Sequence, residues 1–169
     1  MQEEARNSYR RKMLNPFVYF TSMVLRLPSI AFWGIRVNEL NDEKAVVGIR
    51  QRWTNQNPFK SIYFSALNGA AELSTGILCQ MHLQGRGDWS MLVVKFEAEF
   101  FKKATGKIIF TCSDGVRLSR LLDEIEKGES VGTFVMESVA TNEQNVEIAR
   151  FRVTWSFKKK VNGESEKTK

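Results

Sequence analysis

The chain has 169 residues, 43% of them hydrophobic and 26% charged, with a formal net charge of +6. That composition excludes a disordered chain and describes one globular domain able to bury its own core. Residues 1–12 contribute +2 and residues 158–169 contribute +3, which leaves +1 for the body, a poor basis for a nucleic-acid platform built on clustered phosphate contacts.

Residues 3–26 read as an amphipathic helix in which Tyr9, Met13, Phe17, Phe20 and Val24 recur at steps of three or four, with Pro16 bending it or splitting it in two. The apolar stretch over 16–35 follows Arg10, Arg11 and Lys12 and raises the question of a membrane span or a signal peptide. Arg26 and Pro28 interrupt it and no small-residue cleavage site is evident, so no membrane insertion is expected. Residues 30–40 alternate as a strand with Ala31, Trp33, Ile35 and Val37 on one face. Residues 44–53 alternate again, gathering Ala45, Val47, Ile49 and Trp53, and Asn41, Asp42 and Glu43 turn between the two in a predicted hairpin.

Residues 57–82, with Pro58 near the start, predict one long helix that is apolar on most of its circumference, the mark of a helix wrapped by other structure. Gly69 and Gly76 each cost about 1 kcal/mol against alanine inside a helix, so they predict places where a neighbouring backbone comes close. One stripe is polar: Ser61, Ser65, Asn68, Glu72, Thr75 and Cys79 follow one another at helical spacing. It faces either solvent, or a cleft or subunit interface. The absence of any Lys or Arg between Lys60 and Arg86 favours the cleft or interface, where a partly buried Glu72 would titrate high and serve as a base or nucleophile.

Residues 84–88 are a turn, and the tripeptide Arg86-Gly87-Asp88 is read as part of it. Residues 91–101 predict a long strand burying Leu92, Val94, Phe96, Ala98 and Phe100, with residues 107–112 pairing back onto it. Ser113 and Asp114 supply the cap of a surface helix over 116–127 that Gly128 ends. Residues 130–140 and 146–158 make a last strand pair, the second presenting Ala149, Phe151, Val153, Trp155 and Phe157 on one face. The chain divides into a helical extension over 1–29, a body over 30–158 and a polar tail over 159–169 that is expected to be disordered. Cys79 and Cys112 lack the spacing of a zinc site and the single His82 cannot complete one, so neither a metal nor a cofactor is expected, and the cysteines read as reduced thiols of a cytoplasmic protein.

The order of elements is that of an α+β domain with an antiparallel sheet of about six strands, one face of it covered. Over residues 30–158 that layout resembles the hotdog fold, in which a curved antiparallel sheet wraps one long helix, here with an extra N-terminal helix. More narrowly, the chain is similar to the acyl-CoA thioesterases of the phenylacetate-pathway type and to an uncharacterised group assigned to that branch. There, an Asn in the approach loop is followed six residues later by His-Gly-Gly at the helix start, and an acid lies nine residues after the His. Asn57 stands in the Asn position, Tyr63 in the His position, Phe64 and Ser65 in place of the glycines, and Glu72 in place of the acid.

The resemblance implies hydrolysis of an acyl-CoA or acyl-carrier thioester in a site formed between two subunits of a homodimer or a dimer of dimers. It implies Glu72 as general base or nucleophile, Asn57 as its partner, and backbone NH groups at the helix start as an oxyanion hole. Tyr63, Phe64, Ser65, Asn68 and Thr75 are the candidate substrate contacts, and Phe17, Phe20 and Val24 are candidates to roof the acyl tunnel. Lys102, Lys103, Arg50, Arg52 and Arg117 are available to CoA phosphates or to solvent alike. Asn57 equally suits a cap or a loop brace, and Tyr63 a core aromatic. With Phe64 and Ser65 where glycines would let a thioester approach, the alternative is a non-catalytic acyl-binding or scaffolding protein.

Overall fold

Asn15 and Pro16 break the N-terminal helix in two in the computed structural model, which describes residues 1–128 and 131–160. Helix α1 (Gln2–Leu14) ends where Asn15 turns to extended backbone, and the Asn15 side chain then accepts from the NH groups of Phe17 and Val18 to cap α2 (Pro16–Arg26). An Asn cap followed by Pro at the first helical position is a strongly preferred start. The break resets the helical phase. Tyr9 and Met13 of α1 face the body, but the inward residues of α2 are Tyr19 and Met23, which leaves Phe17, Phe20 and Val24 exposed.

Helix α3 (Pro28–Trp33) takes the first part of the strand expected over 30–40. Pro28 sets the φ of its first turn and Gly34 closes it in the left-handed region at φ 71°. Under two turns long, it is too short for a helical period to show, which is why Ala31 and Trp33 mimic strand alternation.

Six strands form one antiparallel sheet in the order β1 (Arg36–Leu40), β2 (Ala45–Arg50), β4 (Lys107–Cys112), β5 (Val131–Asn142), β6 (Glu147–Lys159), β3 (Trp89–Phe100). The hairpins β1–β2 and β5–β6 form as their alternation predicts. Strands β3 and β4 do not pair: β3 lies on β6 at the sheet edge, and β4 sits between β2 and β5. Alternation dictates the face a strand buries but not the neighbour that takes its edge. The register of β3 also slips between Val93 and Lys95, so Met91, Val93, Phe96 and Ala98 turn inward while Leu92 and Val94 are exposed, against expectation; Phe100 shares the inward face with Phe96 and Ala98 but is 47% exposed at the strand's end. Trp53, expected beside Ile49, is exposed in a 3-10 turn (Trp53–Asn55).

Helix α4 (Phe64–Leu83) crosses one face of the sheet and packs on β2, β4, β5 and β6. It starts later than predicted, because residues 57–63 are loop. Near its start the ring of Phe151 gathers Phe96, Phe100 and Phe110 at centroid distances of 6.0, 5.6 and 5.8 Å. Toward its end α5 (Gly115–Lys127) lays Leu118, Leu122 and Ile125 against it. Asp114 is the cap of α5 by position only. Its carboxylate accepts from the Glu137 NH at 2.8 Å and from Arg117 at 2.8 Å, bracing β5 rather than the helix. Arg86 is buried, donating to the His82 carbonyl and pairing with Asp123 and Glu126 of α5. The strand expected over 130–140 is β5, whose first expected residue lies outside the described residues, β6 runs through Lys159, and the tail beyond Lys160 also lies outside the described residues. Among the described residues no helix is long and apolar enough to cross a membrane.

Candidate active site

Glu72 sits at the middle of α4, half-buried, on the stripe that the helical spacing defines. Its carboxylate has no hydrogen bond or ion pair from any described residue, and burial alone pushes its pKa above the ordinary value of 4.5. The side chain extends along the helix toward Gly76. A Cβ built on Gly76 would lie 3.2 Å from Glu72 Oε1 and 3.2 Å from the Trp155 ring, so the missing side chain is the space that carboxylate and indole share. Gly69, one turn earlier, does the same for α3: a Cβ there would meet the Trp33 ring at 3.0 Å. Both glycines thus mark close approach of indole rings, not of the backbone expected.

The cleft in front of Glu72 has a volume of about 340 Å³ and is walled by Leu27, Ile30 and Trp33 on one side and Phe96 of β3 on the other. Its roof is therefore α3 and the end of α2. Phe17, Phe20 and Val24, expected in that role, do not line it. Sequence reasoning missed Leu27, Ile30, Trp33 and Phe96 as site residues, although Pro28 followed six residues later by Gly34 is a helix start and stop that would have placed α3.

Asn68 lies one turn before Glu72 and lines the same cleft, and its Oδ1 is buried without a hydrogen-bond partner among the described residues. A buried acceptor left unpaired costs free energy that a bound ligand or water would recover. Thr75 is fully buried. Its hydroxyl donates to the Glu72 carbonyl at 2.9 Å and accepts from Trp155 Nε1 at 3.0 Å, so it braces the turn that carries Glu72 instead of reaching the cleft.

Asn57, Tyr63 and Phe64 line a second pocket of about 280 Å³ at the start of α4, with Phe100, Lys102 and Lys103. Asn57 Oδ1 accepts from the NH groups of Phe59 and Ser61, and its Nδ2 donates to Ser61 Oγ at 3.0 Å, so the side chain is spent on bracing the loop. Tyr63 is the N-cap residue of α4 and is exposed, its ring edge-on to Phe64 at 5.0 Å. No side chain caps α4, and the NH groups of Phe64 and Ser65 have no acceptor among the described residues. Those donors carry the positive end of the helix dipole. The two pockets are separate in the chain: eight residues at 1.5 Å each set Phe64 about 12 Å from Glu72 along the helix. The structure thus brings Asn68 and Glu72 together in one cleft and Asn57, Tyr63 and Phe64 together in another. Of the basic residues considered for phosphates, Arg50 faces Glu143 at 3.9 Å and Arg117 pairs with Asp114.

A six-stranded antiparallel sheet laid over one long helix is the architecture of a hotdog-fold protein. Residues 18–157 match the family described as a domain of unknown function (DUF4442). The chain belongs to that family. Comparison with curated proteins gives no match. Among solved structures the chain is similar to PA5026 of Pseudomonas aeruginosa, described as a protein of unknown function and probable thioesterase, at 20% identity and a TM-score of 0.70 over 87% of this chain and 98% of the other. It is similar to the thioesterase HI1161 of Haemophilus influenzae at 12% identity and a TM-score of 0.63, over 81% and 87% of the two chains. It is also similar to the E. coli PaaI protein of the phenylacetic acid degradation operon at 15% identity and a TM-score of 0.59, over 83% and 90%.

Proposed function

We propose that this protein hydrolyses an acyl thioester, with Glu72 acting on the attacking water as general base or on the carbonyl directly as nucleophile. The observation that carries this reading is the pairing, in one cleft, of an unpartnered desolvated carboxylate with an orphaned Asn68 oxygen. A carboxylate whose pKa is raised by burial is a stronger base than an ordinary glutamate and is not held by a counter-charge. In the general-base route it takes a proton from water, the hydroxide adds to the thioester carbonyl, and the tetrahedral intermediate collapses to release the thiolate, which is then protonated. Asn68 orients the attacking water through its unpaired Oδ1, and Thr75 acts by holding the Glu72 turn.

The oxyanion is assigned to the free NH groups of Phe64 and Ser65, which a second copy of the chain would bring to Glu72. An unpaired β3 edge with Leu92 and Val94 exposed supports such a homodimer, or a dimer of dimers. Lys102 and Lys103 line the helix-start pocket, which supports a contact with the phosphates of CoA or of an acyl carrier. We assign the protein to the cytoplasm, where its two buried cysteines stay reduced. The names of the fold neighbours, which include thioesterases, agree with the reaction class.

A second reading is favoured by one feature: exposed Phe64 stands over the helix start where a thioester carbonyl would dock. On that reading the cleft holds an acyl group without cleaving it. The deciding experiment is thiol release from short, aromatic and long acyl-CoAs by wild-type protein and by Glu72→Gln. Turnover lost in the variant supports hydrolysis. Saturable acyl-CoA binding with no turnover in either protein overturns it in favour of the acyl-binding reading.

A further inference from the structure

A third cavity lies on the opposite side of α3 from Glu72, in the angle between α2 and the α3–β1 corner, with a volume of about 400 Å³. Such a volume falls in the range of small-molecule sites. Its walls are apolar, from Met13, Phe17 and Phe20 on the helices to Ala31, Ile35 and Val37 below. Three polar side chains border it. Tyr19 has its hydroxyl committed to the Ile35 carbonyl at 3.1 Å, and the other two are Arg36 and Arg52. Neither guanidinium has an ion-pair partner among the described residues. That of Arg52 lies over Gly34, where a Cβ would come within 3.2 Å of Nη1, so the left-handed glycine keeps the space it occupies.

Two further observations point to the charge and shape of what fits. From residue 5 to residue 38 the chain has Arg6, Arg10, Arg11, Lys12, Arg26 and Arg36 and no acidic residue at all. Among the described residues, only Arg6 and Arg10 of these have an ion-pair partner, the shared Asp42. On the rim, Phe17 and Phe20 are 77% and 55% exposed, apolar surface that an alkyl chain laid in the groove would cover.

We propose that this groove binds a free fatty acid, its chain between α2 and α3 and its carboxylate on Arg36 and Arg52. Two guanidiniums match one carboxylate, and each arginine fork suits its planar oxygens. An uncharged chain would gain only the apolar contact. The site is separate from the Glu72 cleft, since α3 turns Ala31 to this groove and Ile30 and Trp33 to the other. It stands whether or not the protein cleaves thioesters.

The test is calorimetric titration of the full chain with dodecanoate below its micellar concentration, beside dodecanol as the uncharged chain of equal length. Arg36 and Arg52 are exposed and their replacement leaves the core untouched. Dodecanoate is expected to saturate, with affinity at least about tenfold above that of dodecanol, as charged hydrogen bonds provide. Arg36→Gln with Arg52→Gln should erase that preference, Phe20→Asp should weaken both ligands, and Glu72→Gln should leave dodecanoate binding as it was. No saturable binding, or binding lost in Glu72→Gln and kept in the double arginine variant, would overturn the proposal. So would association confined to phosphatidylglycerol vesicles, which would make the surface a membrane contact and not a pocket.

Discussion

The indole NH of Trp155 donates a 3.0 Å hydrogen bond to Thr75 Oγ1, tying β6 to the turn of α4 that follows Glu72. Thr75 in turn donates to the Glu72 carbonyl at 2.9 Å. Thr75→Val keeps the shape but leaves the buried indole NH without an acceptor, a loss of about 1–3 kcal/mol. Urea unfolding should show that loss, and thiol release should fall with it because the Glu72 turn loses its brace. Thr75→Ser, which restores the hydroxyl, should recover most of both.

Gly76→Ala separates stability from chemistry. Alanine gains about 1 kcal/mol of helix propensity over glycine, and its Cβ at 3.2 Å from both Glu72 Oε1 and the Trp155 ring forces each to give by a few tenths of an ångström. The expected outcome is a thermal midpoint near that of wild type together with a marked drop in thiol release. Unchanged activity would show that the carboxylate does not need its present position.

Glu72 also sets a pH dependence of stability. The folded pKa is raised, so the native state prefers the protonated acid. The sign follows from linkage: the cost of burying the carboxylate is absent below its ordinary value of 4.5 and grows as pH rises through the folded pKa. Glu72→Gln should therefore melt higher than wild type at pH 8, and the difference should shrink toward zero as pH falls to 4. A variant that is less stable than wild type at pH 8 would mean that the charge is held by a partner.

Arg86 is the structural anchor that its tripeptide hides. Its guanidinium pairs with Asp123 at 2.7 Å and Glu126 at 2.8 Å and donates to the His82 carbonyl, joining the end of α4 to α5. Arg86→Met removes the buried member of a cluster whose carboxylates are 50% (Asp123) and 22% (Glu126) exposed, and should cost about 1–3 kcal/mol, as measured by urea unfolding. An effect within about 0.5 kcal/mol, the range of ordinary surface substitutions, would contradict that role.

What the sequence made legible follows from how strongly one period dominates a segment. The alternation of β6, with Phe151, Val153, Trp155 and Phe157 all buried, and the apolar girth of α4 each had a single solution, and together they defined the fold class. Strand β3 did not, because a bulge at Val94 reverses its phase midway and moves Leu92 to solvent. Helix α3 was hidden by its brevity, and with it the Trp33 and Ile30 wall of the cleft. Helical spacing alone put Glu72 and Asn68 on one stripe, and the structure puts them in one cleft. It could not tell that Thr75, on the same stripe, points its hydroxyl into a hydrogen bond with β6.

The pH profile of kcat/KM for thioester hydrolysis, taken on wild type and on Glu72→Gln, tests the central claim most directly. A base desolvated as Glu72 is should give wild type an acidic limb lying above the ordinary glutamate range, and the variant should lose that limb along with most of its rate. A variant that turns over at the wild-type rate, or that keeps the same limb, would contradict the assignment of Glu72 as the group that activates the attack.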